Sequence, residues 1–230
     1  MATLTRIQIH TFYIHAPDRS TPLLDTLRGI DVLYREGAFE RFGLSNFTTD
    51  EVEEVVKIAL ANDFVLPTAY QGHYSAISRK VEHDLFPVLR KHRMVFYAYS
   101  PQAGGFLAKT KAQLVESSIE GRWDVDSSAG NFFRSIYSRS ALLDALDVWG
   151  QISADSNIPR AELAYRWIAF HSLLGQGDAI IFSASSWPQL DQTLDGVKQG
   201  PLPLSVVERI EKVWELVKEE APLDHFNRGL

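Results

Sequence analysis

Cysteine is absent from the 230 residues, which excludes disulfides, thiolate nucleophiles and cysteine-ligated zinc. No apolar run approaches the roughly 20 residues needed to cross a bilayer, and the N-terminus has no apolar signal-peptide core. The net charge is −6 and no basic stripe is present, so nucleic acid and anionic membranes are not expected as partners. The seven histidines show no paired metal-ligand spacing, so no metal site is expected. The expected location is the cytoplasm.

Short apolar runs alternate with amphipathic segments along most of the chain. This alternation predicts an α/β fold in which helices connect the strands of a parallel sheet. Strands are predicted near residues 7–14, 42–44, 67–71, 95–99 and 179–182, and helices near residues 22–36, 48–60, 81–92, 159–171 and 187–197 and from Ser205 onward.

Five consecutive strand–helix units indicate part of a (β/α)₈ TIM-type barrel, in which ligands bind at the carboxyl ends of the strands. Five units do not close such a barrel, so an open doubly wound sheet is the alternative architecture. Residues 1–230 are expected to form one domain. A polar stretch over residues 104–140 interrupts the alternation and is predicted to be a functional lid or a disordered loop.

Polar side chains follow each predicted strand. His15 comes after the first strand, Ser45 and Asn46 after the second, Gln71 ends the third and Tyr99 ends the fourth. In a parallel barrel these positions share one rim, where amides can pair with the carboxamide of a nicotinamide and an aromatic ring can stack on it. Each residue alone has a structural alternative, such as a helix cap or a loop hydrogen bond.

Two further segments suit phosphate groups. The small residues of Ala103-Gly-Gly105 permit close approach of a pyrophosphate to the backbone. Ser183–Ser186 opens a predicted helix, whose first N–H groups and hydroxyls can bind an anion.

Seven segments match the pattern of a known enzyme family: FYIHAPD (12–18), GLSNF (43–47), PTAYQGHYS (67–75), LFPVLRKH (85–92), FYAYSPQAGGFL (96–107), RW (166–167) and SASSWPQLDQTL (183–194). By these segments the chain resembles the aldo-keto reductases, and among them the aflatoxin-aldehyde reductase type. The resemblance covers nearly the whole chain from about Ile9. It implies NADP as the cofactor, a small-molecule aldehyde or ketone as the substrate, and a role in secondary metabolism or detoxification.

The resemblance also assigns roles to individual residues. His15 matches the active-site histidine that orients the substrate carbonyl. Ser45, Asn46 and Gln71 match the carboxamide-binding set. Tyr99 matches the ring in the strand that stacks on the nicotinamide, and Tyr97, two residues earlier, is on the same strand face. The other matched cofactor-binding residues are Ser100, Ala103, Gly104 and Gly105 at the pyrophosphate, Arg122 near cofactor or substrate, and Ser185, Ser186, Gln189 and Gln192 at the adenosine and its 2′-phosphate.

Compared with the family, the chain begins just before the fourth strand, so the first three βα units are expected to be absent. Those units carry the Asp, Tyr and Lys of the catalytic tetrad, in which the tyrosine donates a proton to the carbonyl as hydride arrives. The resemblance implies an NADP(H)-dependent reductase. Two alternatives stay open: a non-redox isomerase, dehydratase or cyclase that uses His15, and a non-catalytic binding subunit. The exposed edges of the first and fifth strands predict self-association.

Overall fold

The computed structural model describes residues 9–115 and 122–227. Within it the backbone divides into two compact units. The first unit comprises the residues up to Gly72 together with His83–Tyr97, and the second comprises His73–Glu82 and the residues from Ala98 onward.

The first unit is built from strands that alternate with helices. Strand β1 pairs in parallel with β2, and β2 pairs in parallel with β3, so that Tyr13 lies opposite Gly43 and Ser45 opposite Gln71. Strand β4 follows β3 in the sheet. The elements are β1 (Ile9–Ile14), α1 (Leu23–Arg35), β2 (Phe39–Ser45), α2 (Thr49–Asn62), β3 (Pro67–His73), α3 (Leu85–Lys91) and β4 (Val95–Tyr99).

Local sequence explains the ends of the helices in this unit. Gly37, with φ of 72°, ends α1 in a left-handed turn whose following amide, that of Ala38, donates to the Leu33 carbonyl. Thr48 begins α2 through a capping box with Glu51. The buried core of the unit combines one face of each helix with the apolar strand residues, among them Leu27, Phe42, Leu44, Val52, Val55, Ala59, Leu89 and Phe96.

The second unit is mainly helical. The end of β4 continues into it, and the Ile181 amide after β5 donates to the Ala98 carbonyl at 2.8 Å. Its core is dominated by large aromatic side chains, including the buried Trp123, Trp149 and Trp167. Its elements are two 3₁₀ segments (Lys80–Glu82 and Ala103–Ala108), α4 (Lys111–Val115), α5 (Ser128–Tyr137), α6 (Ser140–Ser156), α7 (Arg160–Phe170), β5 (Ala179–Ile180), α8 (Trp187–Lys198) and α9 (Leu204–Val217).

All five predicted strands are present, although residues 7 and 8 of the first prediction lie outside the described residues and β5 has two residues. The α/β class is therefore confirmed. The last helix, predicted from Ser205 onward, begins one residue earlier, at Leu204 after Pro203, and has no side-chain cap. Helix α6 was not predicted. The described part of segment 104–140 includes α4 and α5, and its role as a lid stays a prediction.

Candidate functional site

In the first unit, the structure brings four predicted site residues together at the carboxyl ends of neighbouring strands. The Asn46 side-chain amide donates to the His15 carbonyl at 2.7 Å and to the Ser45 hydroxyl at 3.0 Å. Ser45 lies opposite Gln71 in the parallel register. Ser45 and Asn46 are buried, whereas His15 is exposed. The backbone of His15 is therefore held by a buried hydrogen bond while His15 itself stays accessible.

Tyr13 adds a contact that the sequence prediction missed. Its side chain hydrogen-bonds with that of Gln71. Burial and the neighbouring Tyr97 raise the pKa of the Tyr13 phenol, and they outweigh this hydrogen bond and the charge of Arg41, which lower it. The Tyr13 ring also lies over Gly43, where an added Cβ would come within 2.5 Å of it. Tyr13 lies in β1 two residues before His15, and this spacing could have identified it.

In the second unit, the predicted pyrophosphate turn has an unusual backbone. Ser100, Ala103, Gly104 and Gly105 all have positive φ, between 53° and 93°. The Ala103 amide donates to the Ser100 carbonyl at 2.8 Å, which closes the turn. A Cβ on Gly104 would lie 2.3 Å from the Phe133 ring, so this position requires glycine both for its φ and for its packing.

Left-handed backbone at non-glycine residues is concentrated at predicted site positions. Among the described residues it occurs at six, of which Asp63, Arg93 and Asn157 lie at or just after the ends of helices. The other three are Asn46, Ser100 and Ala103. Such conformations cost of order 1 kcal/mol or more each and are common at ligand sites, so they are consistent with the assigned roles.

Arg122 contacts the ring of Phe133, which in turn packs against this turn. Its guanidinium is 5.4 Å from the centre of the Phe133 ring, and that ring packs on Gly104. Arg122 is exposed, and its charge also lowers the pKa of the Tyr165 phenol, which burial raises. A positive charge is therefore available near the turn.

The predicted adenosine segment forms the N-terminus of α8. The Ser185 amide and hydroxyl both donate to the Gln189 side-chain oxygen, at 2.7 and 3.0 Å, and the Ser186 hydroxyl accepts from the Gln189 amide. Ser185, Ser186, Gln189 and Gln192 are all exposed. An exposed helix N-terminus that carries two hydroxyls can bind an anionic phosphate.

Tyr99, the predicted stacking ring, belongs to a cluster of aromatic and imidazole side chains. It stacks on His73 with ring centres 5.5 Å apart, and burial is the main cause that raises the pKa of its phenol. The His73 Nε2 lies 2.9 Å from the hydroxyl of Tyr137, which is fully buried. The sequence prediction missed Tyr137 because it lies 64 residues from His73 and in a segment interpreted as a loop.

Within the described residues, no helix is both long and apolar enough to span a membrane, and no group of three or more histidine and acidic side chains could hold a metal ion.

Comparison with known proteins places the chain in a family. Residues 1–215 match the model of the aldo/keto reductase family. The chain is 38% identical to oxidoreductase sirO of Leptosphaeria maculans over 94% of its length, and it spans 65% of that protein. It is 38% identical to human aflatoxin B1 aldehyde reductase member 2, of which it spans 62%. The chain is 36% identical to an aldo-keto reductase of Pseudocercospora fijiensis, and it spans 72% of that protein. The chain belongs to the aldo/keto reductase family.

Proposed function

We propose that the chain takes part in the NADP(H)-dependent reduction of a small-molecule aldehyde or ketone. The observation that carries this proposal is the family match over residues 1–215. The relatives named above are an oxidoreductase, an aldehyde reductase and an aldo-keto reductase, so the non-redox and binding-subunit alternatives are not favoured. Under this proposal, β1 to β5 correspond to the fourth to eighth strands of a (β/α)₈ barrel.

Each unit carries groups that suit a part of a pyridine dinucleotide. The first unit offers the Gln71 and Asn46 amides and the Ser45 hydroxyl, which can pair with a carboxamide. The second unit offers the turn at Ala103–Gly105 and the N-terminus of α8, which suit phosphates. NADPH, when bound, supplies the hydride that adds to the carbonyl carbon.

The proposal also gives roles to the residues of the first unit. An imidazole N–H of His15 donates to the substrate carbonyl oxygen and orients it, while the Asn46 amide ties the backbone of His15 to the end of β2. Tyr13 hydrogen-bonds with the Gln71 side chain and so restrains the amide that would pair with the carboxamide.

Ser185→Asp tests the cofactor assignment. An added carboxylate at the N-terminus of α8 would repel the 2′-phosphate, so the Kd for NADPH should rise about tenfold, the equivalent of roughly 1.4 kcal/mol, while that for NADH changes less. Titration followed by cofactor fluorescence measures both constants. Gln199→Glu adds the same charge at the other end of α8 and should leave both unchanged. Equal losses for the two cofactors, or no NADPH binding by the wild-type protein, would refute the assignment.

The exposed edge of the first unit supports a second proposal, that the chain self-associates. Among the described strands, β1 pairs with β2 alone, so its other edge presents unpaired backbone groups. Ile9, an apolar residue of β1 itself, is 48% exposed. An open edge beside apolar surface favours strand pairing between copies.

A further inference from the structure

The last described residues of the second unit, Ala221–Asn227, form a segment held by its own hydrogen bonds, which we name the C-terminal strap. The Asp224 carboxylate accepts from the amides of Phe226 and Asn227, at 2.7 and 2.6 Å, and from the Asn227 side chain at 2.6 Å. Asp224, Asn227 and Ala221 are buried. These bonds fix the backbone around His225, so the direction of its imidazole is determined by the strap.

The His225 imidazole occupies a pocket of rings that belongs to the second unit. Its Nε2 is 3.4 Å from the Tyr137 hydroxyl, and its backbone hydrogen-bonds with the Tyr99 hydroxyl. Five rings surround it, with centre-to-centre distances of 4.6 Å to His73, 5.2 Å to Tyr99, 5.7 Å to both Phe132 and Phe133, and 6.4 Å to Tyr137.

This pocket is suited to a flat heteroaromatic ring. Three of its walls, Phe132, Phe133 and Tyr137, meet the imidazole edge to face at 88° to 89°, whereas His73 and Tyr99 are tilted against it at 41° and 57°. Tyr99, which is assigned to stack on the nicotinamide, has His73 stacked on it and His225 tilted against it. The centres of Tyr99, His73 and His225 lie 4.6 to 5.5 Å from one another, so the two imidazoles cover the same side of the stacking ring.

We propose that the C-terminal strap is an autoinhibitory latch: its His225 imidazole occupies the aromatic pocket at Tyr99, and a nicotinamide stacks on Tyr99 only after the strap has withdrawn. This inference rests on the proposed function, because it takes Tyr99 as the stacking ring. The latch lowers the apparent affinity for the cofactor by the fraction of molecules in which the strap is open.

His225→Ala tests the latch. Removal of the imidazole empties the pocket, so the Kd for NADPH, measured by fluorescence titration, should fall about tenfold if the strap is open in roughly one molecule in ten. His225→Phe keeps a ring in the pocket and should bind NADPH as the wild type does. Phe226→Ala removes the exposed neighbouring ring and should also leave the Kd unchanged. An unchanged or higher Kd for His225→Ala would overturn the latch.

Hydrogen exchange gives a second readout. The Phe226 and Asn227 amides, which donate to Asp224, should exchange at least tenfold faster when NADPH saturates the wild-type protein, because the strap then opens. Slower exchange would mean that the strap closes over the cofactor, which overturns the latch. If none of the proteins binds NADPH, the proposed function fails. In that case equal exchange of wild type and His225→Ala without cofactor would show that His225 does not anchor the strap.

Discussion

The buried imidazole of His73 makes the second unit sensitive to acid. Burial, with a smaller contribution from His225, holds its pKa well below the ordinary value of 6.5, against an opposing hydrogen bond with the Leu223 backbone. Tyr99 and Tyr137 also face this ring and stay neutral at acidic pH, because burial raises the pKa of both phenols. The neutral imidazole is therefore the form that the folded state stabilises.

We expect the free energy of unfolding to fall as the pH drops below 6.5. Because the pKa of His73 is lower in the folded than in the unfolded state, the unfolded chain binds more protons in this range, and acid shifts the equilibrium towards it. One such proton changes stability by at most about 1.4 kcal/mol per pH unit. Urea unfolding at pH 7.5, 6.0 and 5.0 measures the slope.

Two variants identify the residue responsible for this slope. His73→Gln keeps a polar side chain near Tyr137 and should flatten the dependence on pH between 6.5 and 5. His83→Gln removes an exposed histidine and should leave it as in the wild type. Equal slopes for wild type and His73→Gln would show that His73 is not the group that titrates.

At the residue scale, the sequence predicted contacts that depend on strand order and missed those that depend on distant packing. Ser45 and Asn46 lie at the carboxyl end of β2 and Gln71 lies near that of the adjacent parallel strand β3, so their proximity follows from the alternation of strands and helices alone. The contact between His225 and Tyr99 joins residues more than a hundred positions apart through a segment with no regular structure. No local pattern encodes such a contact.

At the scale of single elements, the capping box that begins α2 also stabilises the short turn between β2 and α2. The Thr48 amide donates to the Glu51 side chain at 2.7 Å, and the Glu51 amide donates to the Thr48 hydroxyl. Glu51 also pairs with Arg19 in the loop after β1, at 2.7 Å. The cap therefore stands one residue after Phe47 and two after Asn46, and it fixes the turn that carries the predicted carboxamide-binding residues.

Thr48→Ala should lower the free energy of unfolding by about 1 kcal/mol, because the Glu51 amide loses its acceptor. Thr48→Ser keeps a hydroxyl at the N-cap and should cost only a few tenths of this amount. Urea unfolding monitored by circular dichroism compares the two variants with the wild type. If Thr48→Ala and Thr48→Ser are equally stable, the hydroxyl does not contribute to the cap.

Helix α6 shows why one long element was not predicted. It begins after Arg139, whose side chain makes no cap, so the usual signal of a helix start is missing. Its buried residues Leu142, Leu146 and Trp149 recur at helical spacing, but they follow a polar stretch for which the sequence predicts a functional lid or a disordered loop. The helix packs against α9, and this tertiary burial stabilises it in the absence of a cap.

At the scale of the whole molecule, the chain is shorter than its relatives, and this difference bears on its association with other copies. The chain spans 65% of sirO and 62% of the human aflatoxin B1 aldehyde reductase member 2. In a complete barrel every strand has two neighbours, so edges are eliminated. The strand β1 has one neighbour among the described strands. We therefore expect the free edge of β1 in the 230-residue chain to pair with a strand of another copy.

We expect the 230-residue chain to show a mass above its 25.9 kDa in light scattering, rising with concentration. Ile9→Lys places a charge on the β1 edge, where Ile9 is 48% exposed, and should shift the mass towards that of a monomer because edge lysines oppose strand pairing. Leu60→Lys makes the same change at a side chain on α2 that is 65% exposed, away from the edge, and should leave the mass unchanged. If both variants reduce the mass equally, general surface hydrophobicity drives the association. A wild-type protein that stays monomeric at every concentration would refute pairing through β1, because its edge would then be stable in water without a neighbour.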